Sequence, residues 1–309
     1  MIYRLISTSA ALILAFSSMI QGADFFYVSN WGDNSVSQFR SNGTFQSSIA
    51  NGDRPEGLAL DSLQNIYIGY RYNDSIKEYD SAGTLQSTIS SNLNRPIGLT
   101  FDKSGNLYAA NDGLGSPSPD SISKFNSTGQ FQSALTSNVL HDSHGIVIDS
   151  SGNLYVADFT GGKINKFDPG GNQLFSITSN LSGPIGLALD QSGNLYASNY
   201  NNNSISIFNS SGSYQSSISS NLSGPIGLAF DNAGRLFAVN NTNNSISIFA
   251  SNGTYISSIT TGLSGPRFIA ISATSVPEPS TYALATIASV LMALSIRRRN
   301  RSKVCLIDL

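Results

Sequence analysis

A sequence unit of about 41 residues recurs along most of this chain and limits the folds that the chain can adopt. Two copies follow each other directly, at Ser182–Leu222 and Ser223–Leu263, and both open with Ser-Gly-Pro-Ile. The copies are spaced by 41, 47, 41, 41 and 41 residues, and the longer interval holds an insertion at Gly113–Ser118. The aligned marker residues are Gly57, Gly98, Gly145, Gly186, Gly227 and, at the sixth place, Phe268. A repeat of this length is typical of architectures in which similar units pack against their neighbours.

Each unit contains four short stretches with strand character. In the copy at 182–222 the first is the apolar stretch Gly186–Leu189, which an Asp-x-x-Gly-Asn turn sequence separates from Leu195–Ser198. The third, Ser204–Phe208, alternates polar and apolar residues, and a Ser/Gly turn leads to the fourth at Tyr214–Ile218. Short alternating stretches joined by tight turns favour a four-stranded antiparallel sheet.

One such sheet cannot bury both of its faces, but sheets arranged around an axis pack on two neighbours each. The pattern therefore predicts an all-β propeller, with an extended solenoid as the alternative. The ends of the repeat region favour the closed ring. Residues 24–48 supply a second, third and fourth strand without a first, and residues 265–271 supply a first strand with nothing after it. Together they complete one shared blade, so we expect a six-bladed propeller of four-stranded blades over residues 24–272.

The repeat reads Pro-x-Gly-(Ile/Leu)-Ala-hydrophobic-Asp-x-x-Gly-Asn-(Leu/Ile)-Tyr-Val-Ala-(Asp/Asn), and this pattern resembles the NHL repeat. The resemblance covers nearly all of residues 24–272. It implies a six-bladed propeller, in agreement with the count of blades. It implies no single activity, because NHL proteins include scaffolds, receptor ectodomains, binders of RNA or protein, and lyases.

The charge of the repeat region argues against a nucleic-acid partner. Once the two terminal segments are left out, acidic residues outnumber basic residues by six, and the basic residues are scattered. Such a region has no positive stripe to neutralise a phosphate backbone. The chain has one cysteine, Cys305, so no intrachain disulfide can close the fold.

The first 23 residues have the composition of a signal peptide. Arg4 precedes an apolar run at Ala10–Phe16, and small residues follow at Gly22 and Ala23. We therefore expect a signal helix within residues 1–23, with an uncleaved membrane anchor as the alternative.

The last 37 residues have the organisation of a sorting signal. A linker at 273–281 contains Val-Pro-Glu-Pro-Ser, an apolar segment at 282–296 is short for a transmembrane helix, and the basic tail at 297–309 begins with three arginines. The positive charges place this tail in the cytoplasm and the propeller outside. An ordinary tail anchor is the alternative. The order of these parts resembles the PEP-CTERM sorting signal of Gram-negative bacteria, whose motif residues correspond to Pro277, Glu278 and Pro279.

The resemblance to PEP-CTERM proteins implies a processing enzyme of the exosortase type as a partner. It also implies an exported protein at the cell envelope, the outer surface or the extracellular matrix, transiently held in the inner membrane by its C-terminal helix.

The residue before each repeat marker begins an innermost strand at one mouth of the channel, where propellers commonly bind ligands. Three of these residues are apolar, and the others are Glu56, His144 and Arg267. Glu56 and Arg267 belong to adjacent blades and are expected to pair, either as a structural ion pair or as a polar spot in a binding site. His141 and His144 could hold a metal with a third ligand, but no further ligand pattern supports one. We therefore predict no metal and no cofactor.

The loops between second and third strands carry aromatic side chains beside amides. Flat rings next to amide groups suit sugars or extended peptides, through stacking and hydrogen bonds. The alternative is that the amides form turns and the rings pack between blades. The aromatic candidates are Trp31, Tyr70, Tyr72, Phe159 and Tyr200.

Two functional classes fit this sequence. The first is a non-catalytic binding or scaffold propeller at the cell envelope. The second is an enzyme that resembles gluconolactonase-type lactonases or virginiamycin-lyase-type propellers. Only Glu56, with His144 as a substitute, matches the metal-ligand positions of such lactonases, and His144 is the one candidate for a lyase base. No Gly-x-Ser-x-Gly sequence indicates a serine nucleophile. The binding class is therefore favoured.

Overall fold

The computed structural model describes residues 25–113 and 120–272, which form 24 β-strands and a 3-10 helix at Tyr200–Asn202. The strands, numbered in chain order, form four layers around a central axis. The innermost layer consists of β4 (Pro55–Leu60), β8 (Pro96–Phe101), β12 (Ser143–Ile148), β16 (Pro184–Leu189), β20 (Pro225–Phe230) and β24 (Pro266–Ile271). The second layer consists of β1 (Phe25–Asn30), β5 (Ile66–Tyr70), β9 (Leu107–Asn111), β13 (Leu154–Asp158), β17 (Leu195–Asn199) and β21 (Leu236–Asn240). The third layer consists of β2 (Ser35–Arg40), β6 (Ser75–Tyr79), β10 (Ser121–Phe125), β14 (Lys163–Phe167), β18 (Ser204–Phe208) and β22 (Ser245–Phe249). The outermost layer consists of β3 (Phe45–Asn51), β7 (Leu85–Ile89), β11 (Phe131–Thr136), β15 (Gln173–Ile177), β19 (Tyr214–Ile218) and β23 (Tyr255–Ile259).

Each blade is a four-stranded antiparallel sheet with one strand from each layer. Blade 1 has the order β24-β1-β2-β3, and blades 2 to 6 begin with β4, β8, β12, β16 and β20. In blade 1, Tyr27 pairs with Ala270 and Val28 pairs with Ile269, so strands from the two ends of the repeat region share one sheet. The six blades, the four strands in each and the shared blade confirm the predicted architecture.

The hydrophobic core is divided among the contacts between blades. Six clusters of buried residues each combine side chains from two neighbouring blades. In one of them, Phe26 and Phe39 of blade 1 stack with ring centroids 4.9 Å apart, and Phe237 of blade 6 packs 5.3 Å from Phe26. Burial of apolar surface between sheets is therefore the main force that holds the ring together.

The repeat glycine allows the innermost strands to approach one another. A Cβ atom at Gly186 would overlap the carbonyl oxygen of Ile226 in the next blade. Gly227 is less crowded, since a Cβ there would lie 2.7 Å from the carbonyl oxygen of Arg267. Only glycine permits such a close approach of two backbones.

Four of the six blades also contain a buried polar network. In blade 5, Asn199 Nδ2 donates to the hydroxyls of Ser204 and Ser206, at 3.1 and 2.9 Å, and Asn199 Oδ1 accepts from the backbone N–H of Ser182. These bonds tie the second and third strands to the loop before the first strand. The asparagines at this position are Asn30, Asn111, Asn199 and Asn240.

Within residues 25–113 and 120–272, no helix is long and apolar enough to cross a membrane. The predicted signal helix at 1–23, the linker at 273–281, the transmembrane helix at 282–296 and the basic tail at 297–309 lie outside the described residues.

Candidate binding site at the mouth of the channel

An apolar cluster lies at the end of the channel where the innermost strands begin. Ile97, Ile185 and Ile226 pack there with Phe268, and all four are buried. Phe159 and Tyr200 contact this cluster from the loops that follow β13 and β17. A cavity of about 300 Å³ in the channel is lined by residues of all six innermost strands, among them four of the marker residues, Gly98, Gly145, Gly186 and Phe268. The cluster therefore forms an apolar floor for the mouth.

Charged side chains form an alternating row beside this floor. Glu56 is completely buried; Arg267 Nε lies 3.0 Å from Glu56 Oε2, and Arg71 Nη1 lies 3.8 Å from Glu56 Oε1. Arg71 also forms an ion pair with Asp112, which is buried as well, and Arg95 Nε lies 3.3 Å from Asp112 Oδ2. The expected pairing of Glu56 with Arg267 is confirmed. Two arginines compensate each buried carboxylate, as burial of a charge requires.

Two of the mouth arginines and one aspartate hold their backbone in the left-handed region. At the position before the first residue of the innermost strand, Arg54, Arg95 and Asp142 have φ values of 51°, 58° and 52°. The other three blades have glycine at this position, with φ between 56° and 62° at Gly183, Gly224 and Gly265. A left-handed conformation disfavours residues with a Cβ. The conformation is uncommon for arginine, so the side chains of Arg54 and Arg95 are candidates for a role at the mouth.

The guanidinium group of Arg54 lies against both Trp31 and Tyr72, whose rings also contact each other. The Arg54 Cζ atom lies 5.4 Å from the ring centroid of Trp31 and 5.3 Å from that of Tyr72, and the two centroids are 6.0 Å apart. Arg267 lies 4.7 Å from the Trp31 ring centroid and Arg95 lies 5.7 Å from that of Tyr72. Cation–π contacts hold these side chains in place. Tyr72 remains 50% exposed, so part of its surface is open to a ligand.

His144 lies in the adjoining sector, in blade 4. The residue is 6% exposed; Nε2 lies 2.9 Å from Asp142 Oδ1, and Nδ1 has no hydrogen-bond partner among the described residues. Burial opposes ionisation of Asp142, but hydrogen bonds from His144 and Thr160 outweigh it and lower the pKa of this carboxyl. The His144 ring centroid is 5.6 Å from that of Phe159. An ionised Asp142 orients the imidazole so that Nε2–H donates to the carboxylate.

Blade 4 has a buried carboxyl group at the position of the network asparagine. Asp158 stands where four blades have the network asparagine; it is completely buried and its Oδ2 has no hydrogen-bond partner, with Lys163 Nζ 3.6 Å away. Burial raises the pKa of Asp158, against the opposing effects of the Gly161 N–H and Lys163.

The predicted site residues do not all lie at the mouth. Glu56, Arg267, Trp31 and Tyr72 come together in one cluster, and His144, Phe159 and Tyr200 form a second group across the apolar floor. Tyr70 is 1% exposed and lies in the core between blades 1 and 2, where its ring takes the position of the network asparagine. It therefore offers no surface to a ligand. Pro277, Glu278 and Pro279 lie outside the described residues.

Several mouth residues did not follow from sequence reasoning. Arg54, Arg71, Arg95 and Asp112 all take part in the charged or aromatic contacts. An alignment of the repeats contains a signal for two of them, because Arg54-Pro55 and Arg95-Pro96 replace Gly-Pro.

No group of three or more His, Cys, Asp or Glu side chains within residues 25–113 and 120–272 is arranged to hold a metal ion. His141 is exposed, whereas His144 is buried, so the two histidines do not share one environment.

The repeat pattern and the C-terminal pattern agree with comparisons to known sequences. The NHL repeat matches residues 181–208, and the PEP-CTERM protein-sorting motif matches residues 275–299. No protein of curated function matches the chain. The molecule is thus a β-propeller with a sorting signal. More particularly, it is a six-bladed propeller that carries an NHL repeat and a PEP-CTERM motif. This motif implies export, association with the envelope of a Gram-negative bacterium and processing by an exosortase.

Several solved structures share the fold. A chain of a nidogen/laminin complex has a TM-score of 0.71 at 18% identity, covering 82% of this chain and 99% of that chain. A protein of unknown function from Bacteroides caccae has a TM-score of 0.67 at 15% identity, covering 81% and 99%. Virginiamycin B lyase from Staphylococcus aureus has a TM-score of 0.57 at 17% identity, covering 69% and 73%. At these identities the similarity concerns the fold alone.

Proposed function

We propose that this chain is an exported propeller, anchored in the envelope or secreted, that binds a glycan or peptide at the channel mouth without catalysing a reaction. The observation that carries the proposal is the grouping at one face of partly exposed aromatic rings, an arginine in contact with two of them, and an apolar floor. The opposite face differs, because its turns satisfy their polar groups locally; Asp190, for example, accepts from the backbone and side chain of Asn194. The mouth therefore offers a ligand more groups to contact than the opposite face does.

A binding array tests this proposal. The full chain, applied to neutral and acidic glycans and to peptides, should give hits that Trp31→Ala and Tyr200→Ala weaken at least tenfold. Tyr214→Ala is the matched control, because this tyrosine is 41% exposed on the outermost layer, away from the mouth. Hits that survive both mouth substitutions, or no hits at all, would contradict a binding function at this face.

For the sorting signal, we propose that the segment 282–296 spans the inner membrane until an exosortase acts at Pro277–Pro279. The arginines that follow support this orientation, because positive charges stay on the cytoplasmic side. In a host with an exosortase, Pro277→Ala combined with Glu278→Ala should leave the protein in the membrane fraction, whereas Thr274→Ala should not. Normal release of the double variant counts against this route.

A second candidate function is lyase- or lactonase-like catalysis at His144. It is supported by the Asp142–His144 contact of 2.9 Å and by the unpartnered Nδ1, an arrangement that suits a general base. The full chain, incubated with a panel of lactones and cyclic esters and followed by mass spectrometry, tests it. Turnover that His144→Ala abolishes and Phe159→Leu retains would favour the enzyme class. A panel without turnover leaves the binding function preferred.

A further inference from the structure

Arg54 is the one mouth arginine whose guanidinium group has neither an ion pair nor a hydrogen bond among the described residues. Arg71, Arg95 and Arg267 each bind a buried carboxylate, whereas Arg54 contacts only the rings of Trp31 and Tyr72. Trp31 also has an unsatisfied donor, because its Nε1–H is buried without an acceptor among these residues. Two donors near the mouth thus have no partner within the described chain.

The conformation of Arg54 shows that folding does not require an arginine at this position. The left-handed φ of 51° suits glycine, and blades 1, 5 and 6 have glycine there with similar φ values. The Arg54 backbone N–H donates to Asn34 Oδ1 at 3.1 Å, and at Gly224 the glycine N–H makes the same kind of bond to Asn203 Oδ1. The loop contact is therefore available to glycine. What arginine adds is an exposed, oriented guanidinium group, which carries a planar set of donors matched to a carboxylate.

The charges around Arg54 limit the anion that it can take. Exposed Asp53 and Asp74 flank the arginine-aromatic group, and Glu56 and Asp112 lie buried beneath it. These four acidic residues balance the four arginines of the mouth, so the sector has no excess positive charge to attract anions from a distance. Recognition of charge therefore depends on direct contact with the one free guanidinium group, which fits a singly charged group better than a doubly charged phosphate monoester.

The surroundings also indicate what carries this charge. The Tyr72 ring is 50% exposed and lies beside the exposed amide of Asn73. A sugar ring can stack its C–H face on such a tyrosine while its hydroxyls bond to an amide. We propose that Arg54, in contact with the rings of Trp31 and Tyr72, binds the carboxylate of a uronic acid residue in an oligosaccharide. This inference rests on the binding function proposed above and names its ligand class.

Calorimetry with the full chain and alginate oligosaccharides tests the inference, since every sugar in this probe carries one carboxylate. We expect measurable binding that weakens at least tenfold when the carboxylates are reduced to alcohols, and that weakens with added salt. Arg54→Gly should also lose at least tenfold while keeping its melting temperature, because glycine suits the backbone. Arg54→Lys keeps the charge but loses the planar set of donors. Its affinity for alginate should lie between that of the native chain and that of Arg54→Gly. Arg40→Ala, which removes an exposed arginine of blade 1 outside the mouth, is the control and should bind normally.

The outcomes separate this inference from the general binding function. Alginate binding that is indifferent to carboxylate reduction or to Arg54→Gly overturns the uronate assignment but leaves a glycan-binding mouth. Binding of an acidic peptide, but not of alginate, through Arg54 also overturns it and makes the ligand a peptide. An array in which no glycan or peptide binds at the mouth refutes the proposed function together with the inference.

Discussion

Arg267 donates two hydrogen bonds to Glu56, at 3.0 and 3.4 Å, across 211 positions of the chain. Arg267 lies in β24, the strand that completes blade 1, and Glu56 lies in β4, the innermost strand of blade 2. The strand that closes the ring therefore also completes the charged row at the mouth.

Arg267→Ala should destabilise the protein by about 3 kcal/mol, because it removes one of the two arginines that compensate a fully buried carboxylate. Urea unfolding of the full chain, followed by tryptophan fluorescence and circular dichroism, measures this loss. Arg40→Ala, at an exposed arginine, should change stability by no more than about 0.5 kcal/mol.

Glu56→Gln tests whether the loss of stability in Arg267→Ala arises from the pairing of Arg267 with Glu56. The double variant Glu56→Gln with Arg267→Ala should be more stable than the sum of the two single losses predicts, because the unpaired charge is then gone. Strictly additive losses would show that Arg267 acts through some other contact.

Gly186→Ala should cost about 3 kcal/mol, because the added methyl group meets the Ile226 carbonyl oxygen and forces two blades apart. Gly227→Ala is the comparison, and its loss should be smaller because the nearest oxygen would be 2.7 Å from the new Cβ atom. The midpoints of chemical unfolding of the two variants show which substitution is more destabilising. Equal losses at the two glycines would contradict the different spacing of these blades.

Asp158→Asn should raise stability at neutral pH by about 1 kcal/mol, because burial disfavours the charged carboxylate and raises its pKa. A carboxyl whose folded pKa is raised lowers the stability of the native state progressively as the pH rises from its unfolded pKa to its folded pKa. The advantage of the variant should therefore be absent below the unfolded pKa of about 3.9, increase between the two pKa values and stay constant above the folded value. Melting temperatures from acidic to neutral pH measure it. The reciprocal change Asn199→Asp should destabilise blade 5 at neutral pH, and a stabilising effect there would contradict this explanation.

Asp142→Asn should have the opposite pH dependence. The pKa of Asp142 is lowered, since hydrogen bonds from His144 and Thr160 outweigh the effect of burial. Such a group stabilises the fold above its unfolded pKa of about 3.9, and this stabilisation is lost as the pH falls through the folded value. We expect the variant to be about 1 kcal/mol less stable than the native chain at neutral pH, with a deficit that shrinks as the pH falls below about 3.9. A deficit that persists in acid would show that the carboxylate charge is not its source.

Local features of the sequence were sufficient to predict the blades. The Asp-x-x-Gly-Asn turns and the alternation in stretches such as Ser204–Phe208 depend on residues close in the chain, so the four strands of a blade can be read from any copy. The alignment also indicated that Glu56 and Arg267 are neighbours, because both precede a repeat marker in adjacent blades.

Sequence reasoning did not distinguish the buried Tyr70 from the exposed Tyr72. They are two residues apart and were both candidates for binding, yet Tyr70 is 1% exposed and Tyr72 is 50% exposed. Tyr70 ends β5 and points into the contact between two blades, whereas Tyr72 follows the strand. Burial of the Asn199 side chain likewise depends on hydroxyls of the third strand and on a loop amide, which the loop sequence alone does not specify.

The amino-acid sequence alone determined the number of blades, the shared blade and the sorting signal, because each is recorded in a periodic or contiguous pattern. Only the tertiary structure decided that Arg54 contacts both Trp31 and Tyr72 and that Arg71 joins Glu56 to Asp112. These contacts join neighbouring blades at the mouth, and their distances depend on how closely the sheets pack around the axis.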